Sequence, residues 1–516
     1  MADNRTRLAA IDIGTNSIHL VVADVDPRSG KFNVLDREKE IARLGSGSSD
    51  MKYLSESAMN RGIETIKRFK TIADAAGAPI RALATSAVRE ALNQKEFIRR
   101  VQKETGIRIE IASGVEEARL IYLGALQALP IFHKNILLVD IGGGSSEFLV
   151  GKERRILYAN SLKIGALRLT QRFFSSDDID SKAVNECRRY VAGMINPVVR
   201  EVKKHDCEVF VGTSGTILNI ANMIRAMRDD EDTQANNFTF SQKELRKVAG
   251  EVIEAKDSRQ RSGIRGLDPA RVDIIVAGVI ILDEILRALK IKRMVISEYA
   301  LREGIILDTF EKKRNRRNLH HLHDIRYQSV LHLAQNLHYE RKHSHHVSKL
   351  ALALFDQTKR LHELGDTERE FLEAASILHE IGLFVSHAQH HRHSYYLIKN
   401  AELMGFTENE KEIIANIARY HRKSHPKFKH ENFDGLSAND QAIVRRLASL
   451  LRIADGLDRS HSLLVKDVKC RTRGKRLVCE LKPAQHAKLD LELWGADRKK
   501  ELFEEVFDRK LRFEVK

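Results

Sequence analysis

The chain has 516 residues, 42% of them hydrophobic and 31% charged, with seven prolines; that is the balance of an ordinary soluble globular protein, and at about 150 residues per domain it implies three or four domains. The longest apolar stretch near the middle, residues 274–282, is far below the about 20 residues that span a bilayer, and MADNRTRL leads directly into the first motif, so integral membrane and signal-peptide classes are set aside. The net charge of +16 favours polyanionic partners such as nucleic acid, acidic lipid or polyphosphate, without choosing among them.

In chain order, LAAIDIGTNSIHLVVAD at 8–24 predicts a strand ending in Asp12, a turn over Gly14, Thr15, Asn16 and Ser17, and a return strand. Such a turn points several backbone N–H groups outward as a nest for an anion, and Gly lets the backbone come close. Asp12, at the strand end, is placed to hold Mg²⁺ or its waters against phosphate oxygens. An amphipathic helix around 55–76 and strands from Ile80 and Ile107 follow, an alternation that implies α/β layers. Arg89, just after a strand, either clamps a phosphate with its planar fork or makes a surface ion pair. SGVEEARLIYLGALQAL opens a helix at Ser113, and Glu116 stands where a capping box needs it. Glu117 is not needed for that cap and is the candidate general base for attacking water.

ILLVDIGGGSSEFLVG at 136–151 repeats the first pattern, with Asp140 at the strand end and Gly142, Gly143, Gly144 and Ser145 in the turn. Glu147 is either a strand-face charge or a further metal carboxylate. Two copies with matching flanks imply two related lobes facing one phosphate-bearing ligand. A third element, 209–224, reads strand, tight turn, helix, with Thr213, Ser214 and Thr216 at the helix N-terminus, a natural anion position. The charged segment EKKRNRRN at 311–318 reads as a boundary. Beyond residue 310 lie 39 basic against 29 acidic residues and 19 of the 22 histidines. From residue 320 the apolar spacing is helical, and beyond Leu463 a small α+β appendage is expected. Cys187, Cys207, Cys470 and Cys479 form no CxxC pair and read as reduced structural thiols.

On IDIGTNS (11–17), ATSAVREA (84–91), GVEEARLIYLG (114–124), VDIGGGSSEF (139–148), GTSGT (212–216), EYALREGI (298–305), LHEIGL and HHRHSYYLI, nearly the whole chain resembles the exopolyphosphatase / guanosine pentaphosphate phosphatase (Ppx/GppA) family. That family belongs to the actin-like ATPase superfamily. The resemblance implies an α/β fold, with a two-lobed actin-like (ribonuclease H-like) core whose lobes span 1–126 and 127–310. An all-α HD-like domain at 319–462 and a small C-terminal α+β domain at 463–516 would follow. By the resemblance Glu117 takes the catalytic role, while Asp140, Ser145 and Glu147, with Gly14 to Ser17, fall at metal and phosphate positions. The expected metal set is thus Asp12, Asp140 and Glu147, holding Mg²⁺ with Mn²⁺ as a substitute and K⁺ as an optional monovalent ion.

HD phosphohydrolases hold a metal with a His of one helix, a His-Asp pair of another and a later Asp. His343, His379 with Glu380, and Asp455 follow that order, with Glu380 in place of Asp. One extra methylene moves the carboxylate about 1.5 Å, whereas ligand distances hold within about 0.2 Å. The domain is therefore expected to be non-catalytic, and the resemblance to the family implies that it binds substrate and forms a homodimer. Arg392, Arg422, Lys423, Lys427 and Lys429 are its expected polyphosphate contacts. The reading is a cytoplasmic exopolyphosphatase acting on inorganic polyphosphate, with no nucleic-acid partner and with peripheral membrane association allowed. A pppGpp 5′-phosphohydrolase and a phosphate- or alarmone-binding regulator are the alternatives. An actin-fold kinase shares the two loops, but a base on the EEAR helix opening makes water the natural acceptor.

Overall fold

Strand β1 (Thr6–Ile13) is apolar on both faces, as a strand central to a helix-covered sheet must be. Ala9, Ile11 and Ile13 enter one core, and Leu8 and Ala10 enter another. β1 pairs antiparallel with β2 (Ile18–Val25), which carries β3 (Phe32–Glu40). On its other edge β1 pairs parallel with β4 (Ile80–Ala84), followed by β5 (Ile109–Ile111). The second sheet is built from β6 (Ile136–Ile141), β7 (Ser146–Lys152), β8 (Arg155–Leu162), β9 (Val209–Thr213), β10 (Thr239–Ser241) and β11 (Arg293–Ile296). Its order, β10-β11-β9-β6-β7-β8, contains the β3-β2-β1-β4-β5 plan of the first with β10 added at the edge. The α/β core is therefore two-lobed, as the repeated motif predicts, and actin-like, as the family resemblance implies.

The computed structural model describes residues 6–27, 31–46, 51–174, 176–230, 235–314, 320–484 and 487–516. They fall into two compact units, Met1–Asn318 and Leu319–Lys516. The helix Leu301–Arg314 carries the first half of the charged 311–318 segment, whose residues 315–318 lie outside the described residues.

In the first unit, helix Gly114–Ala128 packs on helix Leu301–Arg314, and apolar residues of both helices and both sheets share one core. A Cβ at Gly304 would stand 1.9 Å from Leu120 O, so glycine permits this approach. Beside it Arg119 grips Glu116 with Nε and Nη2 at 2.7 Å each, and donates to Asp308 at 2.7 Å. Arg81 donates to the other Asp308 oxygen at 2.6 Å and to Glu110 at 2.9 Å. Burial alone would raise the Asp308 carboxyl, but Lys312, Arg119 and Arg81 hold it well below the usual range. Ser113 does cap the helix, accepting from the Glu116 N–H at 3.2 Å. The Glu116 carboxylate belongs to the ion network.

The second unit is helical through its first part, with no strand among the described residues of 320–464. Its strands β12 (Val465–Arg473), β13 (Arg476–Pro483) and β14 (Lys510–Val515) form one sheet. Val465, Val468, Leu477 and Leu511 sit in the same apolar cluster as Leu350, Leu372 and Ile414 of the helices. The expected appendage is thus a layer over the helices, sharing their core. Cys470 and Cys479 pair across β12 and β13 with sulfurs 3.1 Å apart as free thiols, a proximity that the sequence spacing does not announce.

Candidate active site

The register of the two sheets places Asp12 and Asp140 equivalently, at the ends of β1 and β6. Asp12 faces His19 of β2, and Asp140 faces Glu147 of β7. Each turn closes with the same backbone bond: Gly14 N–H to Ser17 O at 3.1 Å, and Gly142 N–H to Ser145 O at 3.0 Å. The turns meet. A Cβ on Gly143 would be 3.2 Å from Asn16 Cβ, and one on Gly144 would be 2.6 Å from Thr15 Oγ1. A side chain at Gly144 would collide with the Thr15 and Ser86 hydroxyls, and one at Gly143 would press on Asn16.

Between them lies a cavity of about 310 Å³ lined by Asp12, Glu117, Asp140, both turns and the Ser214–Thr216 helix opening. Every first-loop and second-loop residue that the sequence singles out, Gly14 to Ser17 and Gly142 to Ser145, lines it. Asn16 Nδ2 is buried there with no hydrogen-bond partner among the described residues. Such an orphan donor suits an anion. Ser214 adopts φ +76°, rare for a residue with a side chain, and its hydroxyl bonds Asp140. Thr213 departs from the anion role expected of it: its hydroxyl donates to Ser297 O at 3.0 Å.

Glu117 is 7% exposed and takes a hydrogen bond from Arg89 Nη1 at 3.0 Å. The same nitrogen donates to Ala112 O at 2.9 Å. Arg89 is thus no surface pair: it engages Glu117 and does not line the cavity. Glu147 is also outside the lining; it is 1% exposed and accepts from Ser161 Oγ at 2.7 Å.

These acids crowd one another. Burial, with Glu117 and Glu303 nearby and Arg302 opposing, pushes the Asp12 carboxyl up to about 7. Burial, Glu117 and Asp12 push Asp140 up to about 8. Burial followed by Glu117 and Asp140 raises Glu147 well above the usual range, and burial raises Glu117 against the pull of Arg89.

Among the cavity residues that sequence reasoning missed are His19, Lys39, Arg271 and Arg302. Arg302 Nη1 donates to His19 Nδ1 at 3.0 Å, because a guanidinium can only donate. His19 Nε2 must then carry the proton and donate to Ser17 Oγ at 2.8 Å. Burial, Arg302, Lys39 and Arg271 hold His19 neutral, well below its ordinary value. The Ser17 hydroxyl hydrogen is left free to point at a ligand. Arg271 is buried over Gly215, where a Cβ would be 1.9 Å from its Nη2, and burial lowers it. Its carboxylate neighbour Asp268 is 4.0 Å away. A buried cation so loosely paired in a cavity calls for an anionic ligand. For Arg302 the signal was present in EYALREGI. For Lys39 and Arg271 no local motif existed.

In the second unit, His343, His379, Glu380 and Asp455 converge, as their order in the sequence predicts. Arg392, Lys423, Lys427 and Lys429 are exposed, and Arg422 donates to the His390 ring at 3.3 Å. Arg392, Lys427 and Lys429 share the surroundings of His430, which burial, Arg419 and these cations lower. Among the described residues no helix is long and apolar enough to cross a membrane.

Two actin-like lobes with paired phosphate turns over a carboxylate cluster define the class: a phosphate-binding fold of the actin type. A model of the Ppx/GppA phosphatase family matches residues 21–313, and one of Ppx/GppA phosphatase domain III matches residues 325–501. The chain belongs to the Ppx/GppA phosphatase family. It is similar to the crystal structure of an exopolyphosphatase from Cytophaga hutchinsonii, with 29% identity over 60% of this chain and 98% of that one, at a TM-score of 0.56. It is also similar to the Aquifex aeolicus member of the Ppx/GppA family, with 26% identity over 60% and 99% of the two chains, at a TM-score of 0.51.

Proposed function

We propose that the chain is an exopolyphosphatase that releases terminal orthophosphate from inorganic polyphosphate. The observation that carries this reading is Glu117, held by Arg89 in the one cavity where both phosphate turns and the carboxylates Asp12 and Asp140 meet. The donor set of buried carboxylate oxygens suits a hard dication, Mg²⁺ with Mn²⁺ as a substitute. Burial and mutual repulsion raise these acids, and a dication would relieve both. Asp12 and Asp140 would hold it, with Glu147 supporting them from outside the cavity lining. Bound there, the ion would neutralise phosphate charge in the transition state. A monovalent cation such as K⁺ has no residue assigned to it.

In this account the N–H groups of the two turns, with Ser17 and Asn16, cradle the terminal phosphate. Lys39, Arg271 and Arg302 offset the charge of the phosphates behind it. Glu117 takes the proton of the attacking water, and Arg89 fixes its orientation and favours the carboxylate form. The exposed cations around His430 hold the remainder of a long chain.

A second reading, pppGpp 5′-phosphohydrolase, is favoured by the amides of Asn219 and Asn222 and the apolar Ile274 in the cavity lining, a chemistry suited to a base. Phosphate release from long polyphosphate and from pppGpp, measured side by side with the purified protein, tests the reading. Faster release from polyphosphate supports it, and faster release from pppGpp supports the second. Binding of either without release makes the chain a phosphate- or alarmone-binding regulator.

A further inference from the structure

The second unit contains a cluster that the phosphatase reaction does not use. His343 lies on helix Arg341–Gln357, His379 caps helix Asp366–Leu378, Glu380 follows it, and Asp455 lies on helix Ala438–Gly456. Nitrogens of both histidines and an oxygen of Glu380 all lie within 4.8 Å of one another. His343 Nε2 is 3.7 Å from Glu380 Oε2 and 3.8 Å from Asp455 Oδ1, and His379 Nε2 is 3.9 Å from the same Asp455 oxygen.

These separations are too long for hydrogen bonds. They are close to the about 3.4 Å between ligand atoms placed tetrahedrally at about 2.1 Å from one ion. Glu380 thus stands near both histidines despite its extra methylene.

Both histidines are 0% exposed, and His343 Nε2, His379 Nε2 and Glu380 Oε2 have no hydrogen-bond partner among the described residues. Their other nitrogens are committed. His343 Nδ1 donates to Asp458 Oδ2 at 2.9 Å, and His379 Nδ1 donates to Ser376 O at 2.7 Å. A ring that gives its Nδ1 proton away in its neutral form keeps the Nε2 lone pair for the cluster, which is how outer-shell partners orient metal-binding histidines. Lys499 pairs with Asp455 Oδ2, leaving Oδ1 to face both rings. Glu380 Oε1 stands 3.9 Å from His390 Nε2.

We propose that His343, His379 and Glu380, with Asp455 as a fourth donor, bind one first-row transition-metal ion of the Zn²⁺ or Co²⁺ class, in which imidazole nitrogen is a preferred ligand. This site is separate in residues and in ligand chemistry from the all-oxygen donors of Asp12 and Asp140.

The test uses the full chain, stripped of metal by chelator and titrated with Co²⁺ under excess Mg²⁺. Ligand-field absorption and equilibrium dialysis report binding. The expected result is one Mg²⁺-resistant Co²⁺ per chain with the bands of a nitrogen-ligated ion. His379→Ala should weaken it about 100-fold or more, and Asp458→Asn, which only orients His343, about 10–100-fold. Asp140→Asn should leave it unchanged. Circular dichroism checks the fold, and Glu380→Gln serves if the histidine variants do not fold. Absence of Mg²⁺-resistant binding in the wild type, or binding indifferent to His379, Glu380 and Asp458, would make the cluster a buried ionic network and overturn the proposal.

Discussion

Arg89 Nη1 lies 3.0 Å from Glu117 Oε2, and it is anchored from behind by its bond to Ala112 O. Burial raises the Glu117 carboxyl and Arg89 is the first influence pulling it back. Removing the guanidinium in Arg89→Met should therefore raise the Glu117 pKa further. The acidic limb of the kcat profile should move to higher pH by about one unit or more, with partial return in Arg89→Lys. A profile that stays in place while KM alone rises would instead mean that Arg89 contacts substrate phosphate.

Metal binding should depend on pH. Asp12 and Asp140, raised to about 7 and about 8, are largely protonated at pH 6 and must lose those protons to ligate an ion. Apparent Mg²⁺ affinity should strengthen as pH rises from 6 to 8, by up to about tenfold per unit for each proton displaced. The sign for stability is the opposite. Raised carboxyl values favour the metal-free fold below about pH 4, and that contribution is lost as pH rises towards 8. Thermal shifts across a Mg²⁺ titration at pH 6, 7 and 8 should show the largest gain at pH 8. An equal gain at all three would contradict the assignment of these acids to the metal.

The Arg119–Asp308–Arg81 network should be a strong point of the fold. Asp308→Asn leaves two buried guanidinium groups short of their shared carboxylate, a change that costs about 3–5 kcal/mol. Because the Asp308 carboxyl is depressed, its contribution is present above about pH 4 and is lost as pH falls below that. Urea unfolding of the variant at pH 7 checks the magnitude. A loss under about 1 kcal/mol would mean that the network is not stabilising as a unit.

Long substrates should feel the second unit and short ones should not. Neutralising Lys423, Lys427 and Lys429 together removes three exposed cations, two of them near His430. By analogy with nucleic acid, each phosphate neutralised contributes about 0.7–0.9 to the salt slope of affinity. The triple variant should flatten that slope by up to about three units for long polyphosphate. KM for short chains and for pppGpp should change little. Equal losses at every chain length would assign the cluster to folding or assembly, and no loss would leave it a solvated face.

The cavity floor was legible because its chemistry is local. A strand ending in Asp12 or Asp140 and turning through Gly14 or Gly142 is written in adjacent residues, and repetition made it specific. Glu117 was separable from Glu116 because one carboxylate has a local helical role and the other does not, although the partner of Glu116 proved to be Arg119. Lys39 and Arg271 were not legible: they lie on distant segments that only the folded chain carries to one cavity. Arg302 stood in EYALREGI, but nothing local gave it a role. His19 looked like an ordinary strand residue until its register opposite Asp12 and its bond to Ser17 gave it a place. Glu380 could not be placed from the sequence: a length argument in one residue cannot see where two other helices, Arg341–Gln357 and Ala438–Gly456, set His343 and Asp455.

The central claim is that Glu117 takes the proton of the attacking water. Its most direct test is phosphate release from polyphosphate by Glu117→Gln, with Glu116→Gln beside it and substrate affinity measured separately. The account predicts a fall in kcat of about 10²–10⁴-fold for Glu117→Gln with affinity nearly intact. A near-wild-type rate for Glu117→Gln, above all with Glu116→Gln inactive but folded, would contradict it.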